Sequence, residues 1–132
     1  MRSQHGFAIV SAIFLVVVLG LLGTVIVSLS TTQQVSGVRD LLGSRAYFAA
    51  KAGIEWGAYQ VLQLNSCPAN TTLPALSGSA AGYTVQVSCS STAYEEAGTT
   101  GAVYQITSTA TRGSAGSLER AERQLQAVLS KP

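Results

Sequence analysis

Residues 7–29 read FAIVSAIFLVVVLGLLGTVIVSL, and apart from His5, when protonated, no charged side chain stands between Arg2 and Arg39. A helix rises ~1.5 Å per residue, so about 23 such residues are long enough to cross a hydrocarbon core ~30 Å thick. The sixteen Phe, Ile, Val and Leu residues of the run contribute roughly −0.3 to −0.6 kcal/mol each to insertion, about −5 to −10 in sum. The interspersed Ser, Thr and Gly take back only part. Apolar positions close around every face, as in a helix surrounded by apolar material. A chain of 132 residues has room for one modest core, and the remainder is too polar to wrap such a segment. The run therefore reads as a membrane span.

Outward from that run the composition agrees. Hydrophobic residues make up 47% of the chain and charged residues 11%, a balance unusual for a soluble domain but expected when a fifth of the chain belongs in lipid. The formal net charge is +2. Arg39, Arg45, Lys51, Arg112, Arg120, Arg123 and Lys131 are dispersed along the chain, with no basic patch visible, so no nucleic-acid partner is expected. The only cysteines, Cys67 and Cys89, both follow the span. An even count in a small exported domain favours a disulfide, which would close a loop of ~20 residues and be worth roughly 3 kcal/mol. Spacing alone leaves two buried reduced thiols open.

The leader is short and polar. MRSQHG precedes Phe7, whereas a secretory signal has a shorter apolar region followed by a small-residue cleavage site. At this junction the chain resembles a type IV prepilin: a short basic leader ending in glycine, a phenylalanine, and a score of apolar residues continuing into a long helix. The resemblance implies that a membrane-embedded prepilin peptidase cuts between Gly6 and Phe7 and methylates the new amino group of Phe7. It implies that Arg2 stays in the cytoplasm, in keeping with the positive-inside rule, while everything past Leu29 lies in the periplasm or outside the cell. RAYFAAKAGIEWGAYQ, residues 45–60, looks like the "aragiew" stretch of PilX-type minor pilins, in particular those of mannose-sensitive haemagglutinin (MSHA) pilus systems.

One position departs from the pattern. Major pilins carry a glutamate four residues after the mature phenylalanine, and this chain has Ser11. No carboxylate is then available to pair with a neighbouring subunit's amino terminus. Glutamate-lacking relatives of this kind are placed at a fibre tip or in the complex that starts assembly.

No proline occurs before Pro68, so the helix is expected to run on through Leu64. Its aqueous half shows two stripes. Val35, Val38, Leu42, Ala46, Ala49, Gly53 and Trp56 form one; Tyr47, Ala50, Ile54, Ala58, Val61 and Leu62 form the other. One is expected to cover the head and the other to meet neighbours, the alternative being that both face the same head. Glycines including Gly20, Gly23, Gly53 and Gly57 each cost the helix roughly 1 kcal/mol relative to alanine. Residues 65–81, NSCPANTTLPALSGSAA, read as a loop. Residues 83–90 alternate Tyr83, Val85, Val87 and Cys89 on one face of a strand, and residues 103–111 form another. Residues 91–101 between them read as a loop and residues 112–117 as a turn. Residues 118–129 fit a helix through Leu118, Ala121, Leu125 and Val128, or a strand through Arg123, Leu125, Ala127 and Leu129; the preceding turn and the pilin likeness favour strand.

The expected fold is α+β, the type IV pilin fold. It divides into leader 1–6, a membrane and assembly half of the helix at 7–29, a periplasmic half at 30–64, and a small β-rich head at 65–132. Catalysis is not expected. His5 is the sole histidine, and no HExxH, zinc-spaced cysteine cluster, GK[ST] phosphate loop or Ser-His-Asp order occurs. No metal or other cofactor is expected; Glu95 and Glu96 are adjacent in a glycine-bounded stretch where side chains face solvent. The function implied is assembly: priming or capping a pilus. The implied partners are major and minor pilins, the prepilin peptidase, the inner-membrane assembly platform and the lipid bilayer. A pseudopilin of a secretion or DNA-uptake system, and an uncleaved membrane-anchored periplasmic binding domain, are the alternatives left open.

Overall fold

With no proline to break it, the N-terminal segment forms one α-helix, α1, His5–Leu64, ending where the sequence reading places its end. A computed structural model describes residues 5–132. The leader residues 1–4, including Arg2 and its expected cytoplasmic placement, lie outside the described residues. At the C-terminal end Asn65 takes the left-handed conformation (φ 51°), and the Ser66 N–H reaches back to the Gln60 carbonyl at 2.9 Å. Asparagine is one of the few residues that enters this region readily.

The chain divides into two compact units, Met1–Val38 and Arg39–Pro132. The described part of the first is the apolar part of α1, long and apolar enough to cross a membrane, with none of its most apolar window buried. Its large side chains from Phe7 to Leu29 are more than half exposed, apart from Val18, which is half-buried.

In the second unit, the last turns of α1 pack on a four-stranded antiparallel sheet in the order β1-β2-β3-β4. The strands are β1 Thr71–Thr72, β2 Thr84–Glu96, β3 Thr99–Arg112 and β4 Ala121–Lys131. The alternation read at the start of β2 holds: Tyr83, Val85, Val87 and Cys89 are all buried. Register carries that face across the sheet, pairing Val85 with Ala110, Val87 with Ser108 and Cys89 with Ile106. It continues from Ser108 to Leu125 and from Ile106 to Ala127. The opposite face is mostly polar, as in the row Gln86, Thr109 and Gln124, and it carries Glu122 beside Thr111.

Three local readings need correction or refinement. Residues 91–101 are not a loop: the strands run on to Glu96 and resume at Thr99, leaving only Ala97 and Gly98 to turn the chain. Both have positive φ, 49° and 83°, the backbone of a type I′ hairpin, whose twist matches that of its strands. Tyr94 stabilises the extension by lying over Gly101, its register partner, where a Cβ would come within 2.5 Å of the ring. Residues 65–81 are mostly irregular, but they contain β1 and a 3₁₀ turn at Gly78–Ala80. β1 is held by backbone pairing to β2, which no side-chain pattern in two threonines announces. The segment at 118–129 is a strand from Ala121 onward, because Leu125 and Leu129 pack on the core while Val128 is 64% exposed.

Candidate functional site

Helix and sheet meet along a single seam. Leu42, Ala46, Ala49, Ala50, Gly53, Gly57 and Val61 are the buried positions of the aqueous half, drawn from both expected stripes. The expectation of one stripe per partner is thus corrected in favour of the alternative that both contribute to the head, although Val35 and Val38 from one set, and Tyr47 and Leu62 from the other, are exposed. A 3.6-residue period makes neighbouring stripes overlap, and small residues rather than large ones mark where backbone and sheet approach. Gly53 and Gly57 are the closest points. A Cβ at Gly53 would stand 2.1 Å from Ser108 Oγ, and one at Gly57 would stand 2.7 Å from Ile106 Cγ2. Their helix-propensity cost is the condition for that contact, and the four-residue spacing was the available signal.

Two polar clips hold the ends of the seam, and neither was legible in the sequence. The Tyr83 hydroxyl donates to the Leu42 carbonyl at 2.8 Å in a buried setting, while the Arg112 guanidinium lies 5.8 Å from the centre of the Tyr83 ring. Near the other end the Lys131 ammonium donates to the Leu62 carbonyl at 3.1 Å and to the Asn65 side chain. A cation at a helix C-terminus satisfies carbonyls that lack an intrahelical partner and complements the helix dipole. Cys67 and Cys89 are joined in a disulfide across 22 residues. It ties the loop after α1 to the buried face of β2.

The residues expected to act in assembly lie together at the start of α1. Gly6 and Phe7 occupy its first described turns, Phe7 being 79% exposed, and Ser11, half-buried, follows one turn later. Isoleucines, leucines, valines and Phe14 surround them as an uninterrupted apolar surface.

Other candidate chemistry is sparse. Among the described residues no group of three or more His, Cys, Asp and Glu side chains comes together. Glu95 and Glu96 are exposed beside the hairpin turn, and Lys51 and Glu55 form an exposed pair at 3.9 Å. A shallow depression of about 310 Å³ lies where the sheet passes the end of α1, lined by Asn65, Thr100, Tyr104 and Lys131 among others.

A long helix packed on a four-stranded antiparallel sheet is the α+β architecture of type IV pilin-like proteins. No protein-family model matches the chain, and no curated protein or solved structure does so either.

Proposed function

We propose that the protein is a minor pilin of a type IV pilus of the MSHA kind, similar to the MshP component, and that it primes or caps the filament. The observation that carries this reading is the division of labour within α1. One part is uncharged, apolar and exposed on every side; the other is committed to a folded, disulfide-bonded head. An apolar helix surface of this length has two natural environments, lipid and other apolar helices, and a pilin passes from the first to the second.

On this reading the protein waits in the inner membrane as a single-pass protein with its head in the periplasm. The disulfide supports an oxidising compartment for the head. The prepilin peptidase removes residues 1–6 and methylates Phe7. The assembly platform then draws the span out of lipid and against other pilins, with energy from a separate cytoplasmic ATPase. The protein itself is not an enzyme and needs no cofactor. Ser11, lacking a carboxylate, suits a subunit with no neighbour above it.

Mass spectrometry of the N-terminus tests this directly. The expected product begins at N-methylated Phe7 in cells with an active prepilin peptidase and at Met1 without it. Met1 retained on every copy despite an active peptidase would leave an uncleaved anchor instead.

A further inference from the structure

Basic residues that are scattered along the sequence are gathered by the fold. Arg112 ends β3 and pairs with Ala121; Arg123 follows two positions later, and Arg120 lies in the turn between. Arg123 reaches across to α1, its Nη2 atom 3.1 Å from where a Cβ on Gly43 would stand. Gly43 lies between Arg39 and Arg45. Every arginine of the second unit therefore belongs to one end of it, while Lys51 and Lys131 are engaged elsewhere. This corrects the impression of dispersal.

The end is cationic and ordered. Asp40, Glu119 and Glu122 share it, and Glu122 is taken by Arg120. Among the described residues Arg39, Arg45, Arg112 and Arg123 form no ion pair. Arg112 lies over the Tyr83 ring, and Arg123 lies against Gly43 while donating to the Glu122 carbonyl at 3.2 Å. Exposed acids Glu95 and Glu96 lie at the other end of β2. Guanidinium groups fixed in place without a carboxylate are suited to bidentate recognition of phosphate.

We propose that this arginine end docks on the phosphates of anionic lipid at the surface of the membrane spanned by residues 7–29, an inference that rests on the membrane reading above. The chain itself argues for that occupant. Only ten residue steps separate Leu29 from Arg39, and the nine residues between are uncharged. A tether of that length cannot exceed ~36 Å even when fully extended, so Arg39 cannot stand further than that from the end of the span. Lipid contact would hold the head down in the resting protein and be given up on extraction.

The test uses full-length protein in lipid nanodiscs of phosphatidylcholine alone or with phosphatidylglycerol, with a photo-crosslinking residue replacing Ser114 in the β3–β4 turn. Retention in phosphatidylcholine discs scores the membrane reading separately. Lipid adducts are expected to rise at least threefold with phosphatidylglycerol and to fall back in high salt. They should fall likewise in Arg112→Gln/Arg123→Gln and, with seam residues untouched, in Arg39→Gln/Arg45→Gln. Equal adducts in both lipids, or no loss in the Arg39→Gln/Arg45→Gln variant, would overturn the proposal. So would adducts to a second protein chain in place of lipid, or displacement by inorganic phosphate beyond that by sodium chloride at matched ionic strength, which would mark a free-phosphate site.

Discussion

Gly53 and Ser108 meet with no space for a side chain between them: a Cβ on Gly53 would stand 2.1 Å from Ser108 Oγ and 2.8 Å from Val85 Cγ1. The contact fixes how closely α1 approaches β2 and β3. Ser108 Oγ is fully buried there and has no hydrogen-bond partner among the described residues.

Gly53→Ala should therefore destabilise the head even though alanine is the better helix former. Overpacking costs about 1–3 kcal/mol, against ~1 kcal/mol gained in propensity. Thermal unfolding in detergent micelles, followed through the fluorescence of half-buried Trp56, should show a lower midpoint. Gly37→Ala, where a Cβ meets nothing within 4 Å, is the control and should not lower it.

Ser108→Ala removes a buried hydroxyl without a partner among the described residues, so the same assay should show stability unchanged or higher by up to about 1 kcal/mol. Combined with Gly53→Ala it should recover part of that variant's loss, because the nearest clashing atom is gone. Strictly additive effects would show that the two residues do not oppose each other.

Tyr83→Phe keeps the ring beneath Arg112 but leaves the Leu42 carbonyl without the phenol. A loss of about 1 kcal/mol is expected. Hydrogen exchange resolved along α1 should show it as faster exchange near Leu42 than near Leu62, where Lys131 still holds.

Reduction of Cys67–Cys89, or the Cys67→Ser/Cys89→Ser variant, should cost roughly 3 kcal/mol through the freed 22-residue separation. The same pair should resist alkylation in protein extracted from membranes without reductant.

The long helix and the inner face of β2 were readable because each is a repeating pattern over many residues: no proline before Pro68, and Tyr83, Val85, Val87 and Cys89 in strict alternation. β4 was readable only as a choice, since Leu125 satisfies both a helical and a strand period; pairing with β3 decides it. The hairpin at Ala97–Gly98 was hidden because Glu95, Glu96 and the glycines mimic a loop, whereas the turn needs only two residues with positive φ. The seam was misread for a related reason. Ala46, Ala49, Gly53 and Trp56 were read together in one stripe and do meet the head, but hydrophobic size also pointed to Tyr47, which is exposed, and passed over Gly57, which is buried. Tertiary clips such as Tyr83 to Leu42, 41 positions apart, leave no local trace, and neither does the gathering of Arg39, Arg112 and Arg123. The proposed processing site at Gly6 and Phe7 is the reverse case: it rests on a sequence signal, and helical geometry adds only that Phe7 is exposed.

Ser11→Glu bears on position within a filament. If the absent carboxylate restricts the protein to the tip, the variant should be found along the shaft of labelled fibres more often than the parent. Equal distributions would dissociate Ser11 from tip placement.

The claim on which function depends is that the apolar part of α1 exchanges lipid for other helices. Val16, 70% exposed, is the place to ask. A photo-crosslinking residue there should capture lipid in resting membranes and a second pilin chain in filaments sheared from the surface. Lipid adducts alone, with none of the protein recovered among sheared filaments, would contradict it.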